Sequence, residues 1–340
     1  MKTASPPLVK AHRLKHRGTV ETSPLSIEEI DRPLPGPGQL LLRVRTCGIC
    51  HTDLHIVEGD LPLPKIPLTP GHQIVGIVEQ CGKDVTSFRP GDRAGVPWLY
   101  ETCGRCRFCL SGRENLCDTG RFTGYHVDGG FAEFVLVGQS FAYRIPDGYS
   151  DLHAAPLLCA GVIGFRALRL SDISPGGRLG LFGFGASAHI AMQIALHQGC
   201  EVSVFTRSKN HQEAAESLGA AWVGTAEMAP PHGIEAAVIF APAGHLVLSA
   251  LRVLEKGGTI ALAGIHMSPI PAMEYNLLYE ERTIRSVANS TRKDVQDLLN
   301  FASEASVRTD VEAFPFEDVN KALQMLKNSA INASAAIVVS

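Results

Sequence analysis

The chain has 340 residues, 45% of them apolar and 19% charged, and a formal net charge of −3. That length suffices for two ordinary domains with well-filled cores, and a pI of about 6.5 argues against a nucleic-acid or strongly anionic partner. The first residues, MKTASPPLVKAHRLKHRG, are basic but lack the apolar stretch of a secretory signal, and they read as a frayed tail. The longest apolar run, residues 154–165, is about 12 residues, well short of the ~20 that span a bilayer. The expectation is a soluble cytoplasmic protein with no membrane and no nucleic-acid partner.

Residues 18–45 read as short strands punctuated by turns, with Pro33-Leu34-Pro35-Gly36-Pro37-Gly38 as a loop and Gln39 to Arg45 extended after it. Next comes a run dense in reactive side chains, Cys47-Gly48-Ile49-Cys50-His51-Thr52-Asp53-Leu54-His55. Pro70-Gly71-His72-Gln73 then leads into a strand toward Cys81, and Arg89 to Val96 reads as a tight turn into another. The strongest single signal follows, Cys103-x-x-Cys106-x-x-Cys109-x7-Cys117. Four thiolates that close suit one tetrahedral zinc. A four-thiolate site keeps no open position, so it reads as a staple rather than as the chemistry. The nine cysteines are grouped as metal ligands are, not as a disulfide framework, which fits a reducing compartment. Gly129 to Val135 reads as one more strand, so the first ~150 residues form a β-rich domain.

The pattern changes after Pro146-Asp147-Gly148. Residues 154–170 are apolar over a helical length and carry Cys159. Gly177 to Phe182 reads as a buried strand running into Gly183-Phe184-Gly185-Ala186-Ser187-Ala188. A helix from about His189 to Gln198 and a strand from Glu201 to Phe205 complete a βαβ unit. Glycines at a strand end that opens a helix let the backbone approach a pyrophosphate at the helix N-terminus, and Ala188 still permits close helix–strand packing. The unit therefore reads as dinucleotide-binding. Strands at Glu235 to Ala241 and Gly258 to Gly264 flank a helix at His245 to Leu254. Helices at Arg292 to Ala305 and Phe316 to Asn328 and a last strand at Ala336 to Val339 form a tail expected to return to the first domain.

A staple leaves the chemistry to other ligands, and Cys50, His72 and Cys159 are the candidates. Two thiolates, one imidazole and an open fourth position make a catalytic zinc. Spacing alone does not assemble them: taken singly, His72 reads as a satisfied buried histidine and Cys159 as an inert core thiol.

The motifs together change that weighting. CGICHTDLH, PGHQIVG, GDRAGV, CGRCRFCLSGRENLC, DGGFAEF, LLCAG and the glycine turn at Gly183 make the chain resemble the zinc-dependent alcohol dehydrogenases of the medium-chain dehydrogenase/reductase superfamily, from about residue 25 to the C-terminus. The resemblance implies an α/β protein, a GroES-like β-rich catalytic domain with a doubly wound, parallel-sheet Rossmann cofactor domain. On this chain the boundaries fall at 1–152 for the catalytic domain with its zinc lobe, 153–289 for the cofactor domain and 290–340 for the return. It implies a catalytic zinc on Cys50, His72 and Cys159, a structural zinc on the four-cysteine lobe, and Asp53 as the carboxylate orienting His72. It further implies Thr52 as the hydroxyl touching the alcohol, His55 as the outer base of a proton relay, His51 facing the cofactor pyrophosphate and Trp98 as a wall of the substrate pocket. The implied reaction is reversible hydride transfer between a small alcohol or aldehyde and a nicotinamide cofactor, in a homo-oligomer, tetramer or dimer.

Three departures qualify the resemblance. Gln73 stands where the family usually has glutamate. After strand two of the Rossmann unit, Thr206-Arg207-Ser208 replaces the acid that commonly binds the adenosine ribose. A hydroxyl, an arginine and a serine suit a 2′-phosphate, so NADP(H) is the expected cofactor, with NAD(H) as the alternative. The stretch Ile331-Asn332-Ala333-Ser334-Ala335-Ala336 lacks the arginine that many relatives place on the pyrophosphate. A nucleotide-binding zinc protein without turnover is the alternative from another class; Thr52 and His55 argue against it, because a binding module needs no proton relay.

Overall fold

The computed structural model describes residues 7–331 and 334–340. The chain divides into two units: residues up to Cys159 with 291–300 and 309–340, and residues 160–290 with 301–308.

The first unit is built on a seven-stranded sheet. Its order is Val311–Pro315, Ser334–Val338, Gln39–Ile49, Gln73–Cys81, Arg93–Val96 and Tyr143–Arg144, with Phe134–Gly138 also paired to Gln39–Ile49. The long central strand Gln39–Ile49 is buried along almost its whole length, as its Leu40, Leu41, Leu42, Val44 and Ile49 require. The tail enters this sheet directly, since Ala336 pairs with Gly48 and Gly48 pairs with Gln73. Phe314, Phe316, Val319 and Leu323 join the same core as Leu40, Val44, Ile56 and Phe131.

The amino-terminal stretch, read above as frayed, is ordered from residue 7 onward. Leu8–Leu14 forms a strand paired antiparallel with Leu25–Asp31. Its Val9 and Ala11 are buried while Leu8 and Lys10 are exposed, a two-residue alternation that the basic composition concealed, and His12 and Leu14 beyond it are buried as well. Residues 1–6 lie outside the described residues. So do Asn332 and Ala333, within the stretch that lacks the pyrophosphate arginine.

The second unit holds a six-stranded, all-parallel sheet. Its order is Trp222–Gly224, Glu201–Phe205, Arg178–Phe182, Ile234–Ile239, Leu254–Leu262 and Thr283–Ser286. In chain order that is 3-2-1-4-5-6, the doubly wound arrangement of dinucleotide-binding sheets. The strands are apolar because helices cover both faces of such sheets, and Phe182 stacks on Phe205 at 4.1 Å between ring centres. Residues 154–170, read as one helix, are interrupted. A 3-10 turn, Ala155–Leu158, ends at Cys159 (φ −135°, ψ −75°), and the helix Ala160–Leu170 starts after it. Pro156, which has no amide to give a continuing helix, sits in that turn. Among the described residues no single helix is long and apolar enough to cross a membrane.

Candidate metal centres and cofactor turn

Cys50 closes the long central strand and opens the helix His51–Glu58. Its Sγ accepts from the Thr52 amide at 3.4 Å, and the Asp53 side chain accepts from the Cys50 amide at 3.0 Å. The two bonds form a capping box with sulfur in the usual place of a hydroxyl. His72 stands one residue before the neighbouring strand Gln73–Cys81, so the Gly48–Gln73 pairing brings it beside Cys50. Gly71 makes the bend at φ 96°, and a Cβ there would lie 2.7 Å from the Phe131 ring and 2.9 Å from Cys47 Sγ. Cys159 arrives from the interruption after the 3-10 turn, whose Leu157 and Leu158 are fully buried.

The three donors converge. Cys50 Sγ lies 3.5 Å from His72 Nε2 and 4.0 Å from Cys159 Sγ, and all three donor atoms fall within 4.8 Å of one another. A tetrahedral zinc, with Zn–S near ~2.3 Å and Zn–N near ~2.0 Å, requires donor separations of about 3.5–3.8 Å, so the set fits that ion. Asp53 is fully buried and accepts from the Gly71 amide at 3.2 Å and from His72 Nδ1–H at 3.1 Å. That bond fixes the tautomer and turns Nε2 toward the two thiols. Burial works to lower the basicity of His72, but the Asp53 and Cys50 charges outweigh it and raise its pKa to about 10. The hydrogen bond with Cys159, helped against burial by the His72 charge, holds the Cys50 thiol well below its ordinary range. The same bond pushes Cys159 up, so a metal binding here must displace a proton.

The four-cysteine lobe is different in kind. Cys106 caps the short helix Arg107–Leu110, and Gly104 turns at φ 68°. Cys109 Sγ lies 3.5 Å from Cys106 Sγ and 3.9 Å from Cys103 Sγ, with all four sulfurs within 4.8 Å. Backbone amides substitute for buried charge: the Cys103 amide, with Thr119, lowers the Cys117 thiol to about 6. The lobe is tied down by Glu114, a buried carboxylate that accepts from the Arg292 amide at 2.9 Å and from its Nε at 3.2 Å.

Other sequence-marked residues are placed as follows. Thr52 is half-buried next to Cys50, and His51 is exposed. His55, one helical turn on, engages Asp60, with Nδ1 and Oδ2 at 2.7 Å. Trp98 meets the His72 ring edge-on at 4.9 Å and stacks on Phe122. Gln73 is buried, its side chain lies against Gly48, and its Nε2 has no hydrogen-bond partner among the described residues. In the second unit, Gly183 turns at φ 87° at the end of Arg178–Phe182, and Gly185 caps the helix Ala186–His197, in which Ala188 is fully buried. Thr206 is buried, Arg207 is exposed, and Ser208 Oγ accepts from the His211 amide at 3.4 Å as the cap of the helix Lys209–Leu218. Cys50, Thr52, Asp53, His72 and Cys159 thus converge within the first unit, whereas Gly183 to Ala188 and Thr206 to Ser208 lie at adjacent strand ends of the second. Sequence reading missed Asp60 and Glu114; the helix-ending Gly59 before Asp60 was the available signal for the first.

Comparison with known proteins gives the chain's family. Residues 36–147 match the family described as "Alcohol dehydrogenase GroES-like domain", and residues 186–304 match "Zinc-binding dehydrogenase". The chain is 44% identical over 337 residues to "Probable alcohol dehydrogenase AdhA" of Mycobacterium tuberculosis, covering 97% of each chain. It is 37% identical to an alcohol dehydrogenase of Geobacillus stearothermophilus, covering 91% of this chain and 94% of that one. A cinnamyl alcohol dehydrogenase structure from Sorghum bicolor superposes with a TM-score of 0.88 at 28% identity, covering 98% of each chain.

Proposed function

The chain belongs to the zinc-dependent alcohol dehydrogenases of the medium-chain dehydrogenase/reductase superfamily, and from that premise we propose that it interconverts a small alcohol and its aldehyde using NADP(H), with two zinc ions per chain. The observation that carries the reading is the convergence of Cys50, His72 and Cys159 at tetrahedral spacing, with the Asp53 carboxylate behind the imidazole. Zinc on these three donors supplies a Lewis acid for charge developing on the substrate oxygen, and the nicotinamide supplies the hydride acceptor.

The residues of the chain do the rest. Asp53 holds His72 in the tautomer that presents Nε2. Thr52 Oγ1, beside Cys50, takes the proton leaving the alcohol and hands it on toward His55. Trp98, packed on Phe122 and Tyr125, walls the substrate pocket. The turn from Gly183 to Ala188 and the N-terminus of helix Ala186–His197 receive the cofactor pyrophosphate. Thr206 and Arg207 supply the hydroxyl and the cation for a 2′-phosphate, with Ser208 setting the helix behind them. A homo-oligomer is supported by the terminal strand Thr283–Ser286 and by Ile265, Ile270, Tyr275 and Tyr279 near it in sequence, all more than 40% exposed.

Initial rates of aldehyde reduction by the zinc-loaded protein, with NADPH and NADH side by side over a small aldehyde panel, test the proposal. A clearly faster rate with NADPH supports it and its assignment of Thr206 and Arg207. A faster rate with NADH retains the dehydrogenase and overturns the cofactor preference. No rate with either cofactor overturns the activity.

A further inference from the structure

The carboxylate on His55 is the least expected feature of the site. Helix His51–Glu58 ends at Gly59, whose left-handed conformation (φ 91°) turns the chain back on itself. Three successive amides, of Gly59, Asp60 and Leu61, then donate to the His55 carbonyl, at 3.0, 3.0 and 3.4 Å. The turn returns the Asp60 carboxylate to the His55 ring, 2.7 Å from Nδ1. The other carboxylate at this helix end is engaged elsewhere: Glu58 accepts from Lys327 Nζ at 2.8 Å and from the Val20 amide at 3.0 Å. A hydrogen bond this open to solvent, with 62% of the Asp60 side chain exposed, contributes little to stability. Its consequence is chemical. A carboxylate only accepts, so the ring must present Nδ1–H to it, and in the neutral ring Nε2 is left as the free base.

We propose that Asp60 is a positioning residue for the proton relay, holding His55 as the Nδ1–H tautomer so that Nε2 faces the incoming proton. This rests on the dehydrogenase reading above, in which His55 is the outer base. In the step itself Nε2 takes the proton released by the alcohol, the ring becomes an imidazolium that keeps its Nδ1–H bond to Asp60, and the proton then passes from Nε2 to solvent. The arrangement repeats the device that Asp53 applies to His72 Nδ1, here on a ring that is to carry a proton and not a metal.

The test is ring-nitrogen NMR of the zinc-loaded, full-length protein labelled with 15N-histidine, with His55→Gln identifying the His55 signals. Neutral His55 is expected as the Nδ1–H tautomer in the wild type, shifting toward Nε2–H in Asp60→Ala and returning in Asp60→Glu. Alcohol oxidation by Asp60→Ala should fall about tenfold in kcat with KM nearly unchanged, below the ~10²-fold or more lost with a general base itself. Adding Asp60→Ala to His55→Gln should cost nothing further, whereas a merely structural role would cost the same in both backgrounds. An Nε2–H ring in the wild type, or a tautomer indifferent to Asp60, overturns the proposal, as does a tautomer change without loss of kcat. A wild type without turnover would instead sink the dehydrogenase reading, while the tautomer result still judges the pair.

Discussion

Two clusters of candidate metal donors in one chain are built by opposite strategies. The lobe cysteines Cys103, Cys106, Cys109 and Cys117 lie within 15 residues of one another in sequence. Cys103 is exposed there, and the Cys103 and Cys117 thiols are conditioned mostly by backbone amides of the same loop. Cys50, His72 and Cys159 span more than a hundred residues. They meet only because two antiparallel strands and an interrupted helix end at the same place, around a fully buried carboxylate. A local cluster needs only its own loop to bind metal, so it suits a staple. A cluster assembled by the fold inherits rigidity and a dry, charged background, which is what chemistry on a metal requires.

The sharpest way to break this contrast is to remove one donor from each cluster. Cys159→Ser should lower alcohol oxidation about 10³-fold or more, since several kcal/mol of charge stabilisation go with the metal, and should lower bound zinc by one per chain. Steady-state kinetics with metal analysis checks both; retained turnover would remove Cys159 from the catalytic set. Asp53→Asn leaves all three donors in place but loosens His72, and should cost about 10- to 100-fold in zinc affinity at this centre or in activity, measured by competition with a chelating dye. Cys106→Ser also loses one zinc, yet its effect should fall on stability, with an unfolding temperature lower by about 5–10 °C and kcat of the folded fraction within about threefold. Comparable kcat losses in Cys106→Ser and Cys159→Ser would erase the distinction.

The smallest effect separates acid loss of metal from acid loss of fold. His12 is buried on the first strand, with Nε2–H donating to the Phe316 carbonyl at 2.7 Å. Burial lowers its pKa, against the raising effect of that bond and of Glu317. A histidine less basic in the native state binds fewer protons folded than unfolded. Its neutral form is therefore compatible with the fold above the ordinary histidine range, and stability is lost as pH falls through and below ~6.5. His12→Gln keeps a donor for Phe316 without the titration. Its unfolding free energy should decline less steeply than the wild type's between about pH 7 and pH 5, while acid release of zinc stays unchanged. Parallel pH profiles in denaturant titrations would contradict this.

How much of this was legible in the sequence follows from the same contrast. The lobe was readable because its information is local, four cysteines at short spacing. The glycine turn was readable for the same reason: Gly183 and Gly185 stand where a buried-type strand gives way to an apolar helix. The meeting of Cys50, His72 and Cys159 was not readable from spacing, because it depends on strand register and on a helix that breaks at Cys159. Only the joint resemblance of several motifs pointed to it. The amino-terminal strand was missed because Lys10, His12 and Arg13 dominate its composition while Val9 and Ala11 carry its pattern. Asp60 was missed because what matters is a turn geometry that brings residue 60 back to residue 55.

The central claim, two centres with separate tasks, is tested most directly by the zinc-to-chain ratio of the purified protein. The account predicts two zinc ions per chain in the wild type, with Cys159→Ser and Cys106→Ser each falling to one and the double variant to none. A wild-type ratio of one, or a single substitution that empties both centres, would contradict it.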